Sequence, residues 1–419
     1  MTLACGIDFG TSNSAVGVCD AAGPRLLPIQ RDTTSVPTAL FFSFDDGSTT
    51  FGHDALERYF AREPGRYLRA IKSILGTGLF EETTQVRLKQ YSFGDIVAAF
   101  LRFLRTAAAT NLGAPPTRVV LGRPAFFVDD DAAADAAAER QLEAAARTAG
   151  FKEIAFQFEP IAAALDYEQS VRAEEIALVA DIGGGTSDFS VVRVSPERAR
   201  SSDRRADILG FTGVHIGGTD FDRQLSLARI MPELGLRSRL RRKGLQAPAW
   251  YFFDLATWHR ISFLYEAKVL TEVRGVLRDS AEPEKIERLL RVLEQRKGHE
   301  LLASVEAAKI ELSRADRVTI RLDDSVGDLS RKITRSQLEA AVADNLQRIR
   351  SRVGDVLRIA GLKADAVSTV FLTGGATRMP SIRNAIAAAV PTARLHAGDA
   401  FGSVATGLAL DAARRFGEG

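Results

Sequence analysis

Two stretches of this chain are written almost alike, and they constrain its fold more than any other feature. "GIDFGTSNSAVGV" (6–18) and "VADIGGGTSDFSVVRV" (179–194) each read as apolar strand, aspartate, glycine turn with Thr-Ser, and a second apolar strand. Asp8 stands just upstream of the first turn and Asp181 just upstream of the second. Such a unit occurring twice points to two lobes built on one repeated hairpin. At 419 residues the chain is too long for one simple core. The expected division is a first lobe over 1–172 and a second over 173–419.

The rest of the chain fits an α/β reading. Short apolar runs at 25–30, 38–44 and 118–124 are expected strands. Residues 92–111 carry apolar side chains at helical spacing behind Ser92, a capping residue. An alanine-rich helix is expected over 131–151, closed by Gly150. "EIAFQFEPIAAALDY" (153–167) reads as a strand, a break at Glu159-Pro160, and a helix with proline in its first turn. Residues 223–300 hold both tryptophans and little alternation, and are expected to form a mostly helical subdomain inserted in the second lobe. A helix over 301–314, a strand over 317–323 and one long helix from about 335 to 360 follow, the last with Thr334 and Gln337 as a capping box. Strand, glycine turn and helix recur over 367–390. A final helix follows "GDAFGSVATGLAL" (398–410), with no further domain expected.

Composition excludes several classes. Net charge is only +2, so nothing argues globally for nucleic acid or a membrane surface. The basic run "RSRLRRKG" (237–244) reads as a solvated helix end. Two cysteines make no disulfide framework, and no run reaches the ~18 apolar residues of a membrane span. A cytoplasmic, monomeric protein is the expectation. The five histidines are scattered, without zinc-ligand spacing.

Glycine turns stand at strand ends near Gly10, at Gly183–Gly185 and at Gly374-Gly375, and "IGGTDFD" (216–222) precedes a helix. Glycine lets an anion approach backbone N–H groups closely, and adjacent Thr and Ser add donors. Four such turns argue for a phosphate site, although neither the P-loop pattern nor G-x-G-x-x-G occurs. Asp8 and Asp181 either accept turn hydrogen bonds or converge near the phosphates. In the second case a divalent cation relieves their repulsion, and Mg²⁺, held through water, suits oxygen ligands and phosphates. Glu159 is either a helix N-terminal charge or a carboxylate that orients a water for attack.

"GIDFGTSNS", "FEPIAAALDY", "VADIGGGTSDFSV", "IGGTDFD", "SVEAAKIELS" and "FLTGGATRMPSI" resemble the ATPase domain of the 70-kilodalton heat-shock chaperones, the DnaK-like proteins. The likeness runs from residue 3 to about 410, and some details are closer to the YegD-like branch. It implies an actin-like α/β ATPase fold with two duplicated lobes, a central nucleotide cleft, and ATP or ADP with Mg²⁺. It implies that Gly10, Thr11, Ser12, Asn13, Gly183, Gly184, Gly185 and Thr186 contact phosphates, with Gly217, Gly218 and Thr219 approaching the nucleotide. It assigns Asp8 and Asp181 to hydrated Mg²⁺ and Glu159 to the attacking water. Glu306, Lys309 and Ser313 would contact the adenosine, with Gly374, Gly375 and Arg378 on the other side of the adenine.

Three departures accompany the likeness. Ile310 stands where the family has an arginine stacked on adenine. Leu56 stands at the expected place of a lysine important for hydrolysis, with Lys72 in "RAIKSILG" as a nearby substitute. The family's linker and peptide-binding domain are not matched. The functional expectation is an ATP-binding chaperone-type switch with slow hydrolysis, acting on unfolded client proteins or a co-chaperone. Its alternatives are a nucleotide-binding scaffold without turnover, a small-molecule kinase and a filament former. The aromatics Trp250, Tyr251, Phe252, Phe253 and Trp258 are either a partner surface or a local core.

Overall fold

The structure is a computed structural model. It describes residues 3–417 apart from 62, 88, 129–130, 169–170, 202, 242–243, 323–328 and 398–401. The start of the 398–410 stretch and the end of the strand expected at 317–323 therefore lie outside the described residues. By its contacts the chain divides into two compact units: 1–215 with 351–377 and 386–419, and 216–350 with 378–385.

Among the described residues the first unit holds two large sheets, whose ten main strands are numbered here in chain order, and two smaller ones within 39–92. The first sheet has β1 (Ala4–Phe9), β2 (Asn13–Asp20), β3 (Gly23–Leu26), β4 (Arg118–Arg123) and β5 (Glu153–Phe158). The second has β6 (Glu175–Ile182), β7 (Ser187–Val194), β8 (Ile208–Val214), β9 (Thr369–Thr373) and β10 (Arg394–Ala397). Their orders are β5-β4-β1-β2-β3 and β10-β9-β6-β7-β8, so the topologies coincide. In each, the strand that carries the aspartate is central. It pairs antiparallel with the next strand and parallel with a later one. Central strands buried on both faces read as continuous apolar runs, which is how β1 and β6 read. The strand expected over 25–30 stops at Leu26, two residues before Pro28, a residue that cannot donate to a ladder.

Helices pack the two faces. α1 (Phe93–Leu112) begins at Ser92, whose hydroxyl accepts from Asp95 N–H, and α2 (Ala132–Ala149) ends at left-handed Gly150. Their apolar faces join Ile7, Phe9 and Val16 in one core. α3 (Glu159–Glu168) and the last helix, which we call α6 (Ser403–Phe416), share a second core with Val120 of the first sheet and Val179, Val192 and Phe371 of the second. Close approach here requires glycine. Gly6 and Gly17 are register partners on β1 and β2. A Cβ on Gly6 would lie 2.3 Å from the Leu408 carbonyl carbon, and one on Gly17 2.6 Å from Ala405 O. Gly407 meets α3 in the same way, with 1.8 Å to Ala162 O.

The far end of α3 is tied by charge. Arg204 is fully buried and donates to both Glu168 oxygens, each at 2.8 Å, while also bonding Asp207. Glu168 in turn accepts Ser195 N–H at 2.9 Å. A buried guanidinium is tolerated only with partners of this quality, and these join the end of α3 to the connection leaving β7.

The second unit contains α4 (Gly218–Arg229), α5 (Gly298–Leu312) and further helices between them. The stretch from 223 to 300 is mostly helical, as expected. Three local expectations change. Residues 335–360 form two helices, Arg335–Ala341 and Ala343–Ile359, with non-helical Val342 between them. The capping box of Thr334 and Gln337 is present. The described part of the basic run, 237–241, is no helix end: Arg239 bridges Gln246 and Leu240 N–H donates to Leu245 O; residues 242–243 lie outside the described residues. The strand Arg317–Leu322 pairs with Leu329–Thr334, a partner the sequence pattern did not announce.

Candidate functional site

The repeated hairpins meet at their turns. A Cβ on Gly184 would lie 2.2 Å from Ser12 Oγ, so the second turn touches the first. Gly185 has nothing within 4 Å of where its Cβ would be. The turns are held differently. Thr38 clamps the first: its hydroxyl donates to Gly10 O at 2.7 Å and its N–H to Ser12 O at 2.9 Å. The second closes on itself, with Gly183 N–H on Thr186 O at 3.0 Å and Thr186 Oγ1 on Asp188 Oδ2 at 3.1 Å. The third turn joins at Gly374, left-handed with φ +81°, where a Cβ would lie 2.6 Å from Asp181 Oδ1.

Behind these turns carboxylates gather. β1 delivers Asp8, β6 delivers Asp181, and the β6–β7 register sets Asp188 opposite Asp181. α3 delivers Glu159 as its first residue. Gly122 on β4 clears space for that side chain, since a Cβ there would be 3.1 Å from Glu159 Cγ. Lys72, almost fully buried, donates to Glu159 Oε1 at 2.6 Å. Glu159, Asp181, Asp188 and Thr373 line one pocket with Pro124, Pro160 and Phe211.

The charges press on one another. Burial, then Glu159, pushes the Asp8 carboxyl up to about 7, against the opposing pull of Lys72. Asp181 is raised well above the usual carboxylate range, by burial first and then by Asp188, Glu159 and Asp8. For Lys72 burial alone would lower the ammonium, but Glu159, Asp8 and Asp181 outweigh it and the net shift is upward. Carboxylates held this close keep protons unless positive charge arrives. Among the described residues no three His, Cys, Asp or Glu side chains could hold a metal directly. The oxygen donors of this cluster are of the kind that suits a hard divalent cation.

Lys72 changes the expectation placed on Leu56. Leu56 is half-buried within the helix Gly52–Phe60. The ammonium beside Glu159 belongs to Lys72. Asp188 escaped the sequence reading altogether, although counting the hairpin register across its turn would have found it.

The remaining predicted residues sit elsewhere in the chain. In the second unit Gly217 caps α4, its N–H held by Asp220 Oδ2 at 2.9 Å, and Gly218 and Thr219 open the helix. Lys309 is buried, donating to Gly218 O at 3.0 Å and Asp222 Oδ2 at 2.9 Å. Glu306 and Ile310 are exposed one turn apart and Ser313 is half-buried. Arg378 is exposed at the end of the short turn Gly375–Arg378.

Two sheets of one topology, each presenting an aspartate and a glycine turn to a common acidic cluster, define a protein of the actin-like ATPase fold. A family model described as "Hsp70 protein" matches residues 4–230 and 282–418. The chain belongs to the Hsp70 family. It is 27% identical over 408 residues to "Chaperone protein DnaK" of Trichormus variabilis, covering 91% of this chain and 50% of that one. It is 27% identical over 419 residues to "Chaperone protein DnaK" of Thermus thermophilus, covering 92% and 56% respectively. The chain thus spans about half the length of these relatives. Among the described residues no helix is long and apolar enough to cross a membrane.

Proposed function

We propose that the chain binds ATP and ADP with Mg²⁺ and hydrolyses ATP slowly, as a chaperone-type switch. The observation that carries this reading is the meeting of two glycine turns over a buried Lys72–Glu159 pair flanked by Asp8 and Asp181. Gly10, Thr11, Ser12 and Asn13 take the phosphates from one lobe. Gly183, Gly184, Gly185 and Thr186 take them from the other, with backbone N–H and hydroxyl donors. Asp8 and Asp181 hold hydrated Mg²⁺, which neutralises charge on the phosphate oxygens. Glu159 orients the attacking water, and Lys72, donating to Oε1, holds that carboxylate in place. Family membership supports the assignment of Gly217, Gly218, Thr219, Gly374 and Gly375 to the nucleotide. It also supports Glu306, Lys309, Ser313 and Arg378 on the adenosine side, where Ile310 offers packing without a cation–π contact. On this reading the lobes are 1–172 and 173–419, and their closure alters a surface for a client protein or co-chaperone.

A thermal-shift and steady-state ATPase assay tests it. With Mg²⁺, ATP and ADP should both raise the melting temperature. Phosphate release should fall on Glu159→Ala, with and without unfolded protein added. No shift with either nucleotide would end the nucleotide reading. Binding without release, unchanged by Glu159→Ala, would select the non-hydrolysing scaffold instead.

A further inference from the structure

A different part of the chain carries one further inference, which does not depend on the nucleotide reading. The Hsp70 match leaves residues 231–281 uncovered. That segment folds around the short helices Trp250–Leu255 and Ala267–Asp279, with a tighter stretch, Trp258–Tyr265, between them. Among the described residues ten large hydrophobic side chains are exposed, and four fall here: Leu245, Trp250, Phe253 and Phe263, each 41–57% exposed. Trp250–Leu255 has one face in its core, with Tyr251, Phe252 and Leu255 buried. Trp250 and Phe253, three residues apart, stand on the other. The aromatic cluster is therefore both a local core and an open surface. Trp250 and Phe253 thus adjoin on one exposed face, and contiguous exposed apolar surface marks interaction sites.

Charge says what kind of partner fits. Residues 231–281 hold nine Lys and Arg against five Asp and Glu, a surplus of four positive charges, which leaves the other 368 residues at −2. Arg237, Arg239 and Arg241 are exposed and, among the described residues, in no ion pair. Leu240 N–H donates to Leu245 O, which brings Leu245 to the segment of Arg239 and Arg241. Arg223 lies 5.9 Å from the Phe253 ring centre, and Arg260, paired with Asp254, 5.7 Å from that of Phe263.

We propose that Leu245, Trp250, Phe253 and Phe263, with Arg237, Arg239 and Arg241, form a docking surface for an acidic partner-protein segment that carries leucine or aromatic side chains. Its apolar side chains land on the exposed rings and Leu245, and its carboxylates meet the unpaired guanidinium groups. The rings supply affinity and the charges supply steering.

The probe is a fluorescein-labelled peptide of repeated Glu-Glu-Leu-Phe, read by fluorescence anisotropy on the full chain. It should bind, and weaken at least about tenfold when its Glu are replaced by Lys or its Leu and Phe by Ala. R239E/R241E and W250A/F253A should each weaken it by about the same factor. Both variants should keep the parent's melting temperature, which separates lost docking from lost folding. Unchanged affinity in both folded variants overturns the proposal. So does tighter binding of a single-stranded oligonucleotide than of the acidic peptide. Concentration-dependent sedimentation abolished by the same substitutions would assign the surface to a second copy of this chain.

Discussion

The two repeated hairpins share topology, register and turn chemistry, yet they are not equivalent. In the first, Asp8 faces Ala15 across the strand pair. In the second, at the same register position, Asp181 faces Asp188. The first turn is clamped from outside by Thr38, and the second is closed by its own backbone and by Thr186. Duplication therefore fixed the scaffold, and the single position opposite each aspartate set the charge. The first hairpin contributes one carboxylate and the second two. Lys72 is the cation that both aspartates feel.

That shared cation is where the comparison breaks most readily. Lys72→Met leaves the acidic cluster without its ammonium and Glu159 without its partner. ATP turnover should fall by about 10²–10³-fold. The ADP-induced rise in melting temperature should largely survive, because the turns proposed to contact phosphate are untouched. A steady-state assay beside a thermal-shift assay reads both. Loss of the ADP shift as large as the loss of turnover would make Lys72 a structural residue.

The next effect separates the hairpins by pH. Asp8 is raised to about 7 in the folded chain. A raised carboxyl binds its proton more tightly when folded than when unfolded. Its contribution is complete below the ordinary carboxylate range and is lost as pH rises toward 7. In EDTA the wild type should lose stability relative to Asp8→Asn across that window, by on the order of 1–2 kcal/mol, discounted for partial solvent access. Mg²⁺ with ADP should shrink the difference. Parallel melting curves from pH 4 to 8 would show that the carboxyl is not strained.

Asp188→Asn acts on the second hairpin alone. Like charges directly opposed on a strand pair destabilise it, so removing one should raise apo stability near pH 8 by about 0.2–1 kcal/mol. The matching change in the first hairpin, Ala15→Asp, should lower it by a similar or larger amount. Denaturant midpoints at constant m-value measure both. A stabilising Ala15→Asp would show that the asymmetry carries no electrostatic weight.

Local pattern made much of this legible. The capping hydroxyls of Ser92 and Thr334, the C-terminal Gly150 and the paired Asp-turn units follow rules that act within a few residues, and each is present. What escaped depends on distance along the chain. The sequence offers Lys72 as a nearby cation, but its pairing with Glu159, 87 residues away, follows from no periodicity. Gly122 reads as part of a strand end and makes room for Glu159 only once β4 and α3 are packed. Val342 interrupts an otherwise continuous helical pattern without a proline or glycine to announce it. Asp188 was within reach, since the hairpin register is a local property.

The smallest expected effect is the sharpest test of what the glycines are for. Gly184 and Gly185 are neighbours in the second turn, and neither has positive φ. Gly184→Ala sets a methyl 2.2 Å from Ser12 Oγ and must turn that hydroxyl away, so any loss of affinity there mixes the methyl's effect with the displaced Ser12 donor. Gly185→Ala meets nothing within 4 Å, and stability should stay within about 0.5 kcal/mol of wild type. If Gly185 is glycine only for the turn, ADP affinity should not change either. If phosphate must approach its backbone N–H, the methyl intrudes on the ligand and on nothing else. Affinity by calorimetry should then fall several-fold at unchanged melting temperature. Unaltered affinity at Gly185 would reduce the second turn to a tight bend and leave phosphate contact to the first.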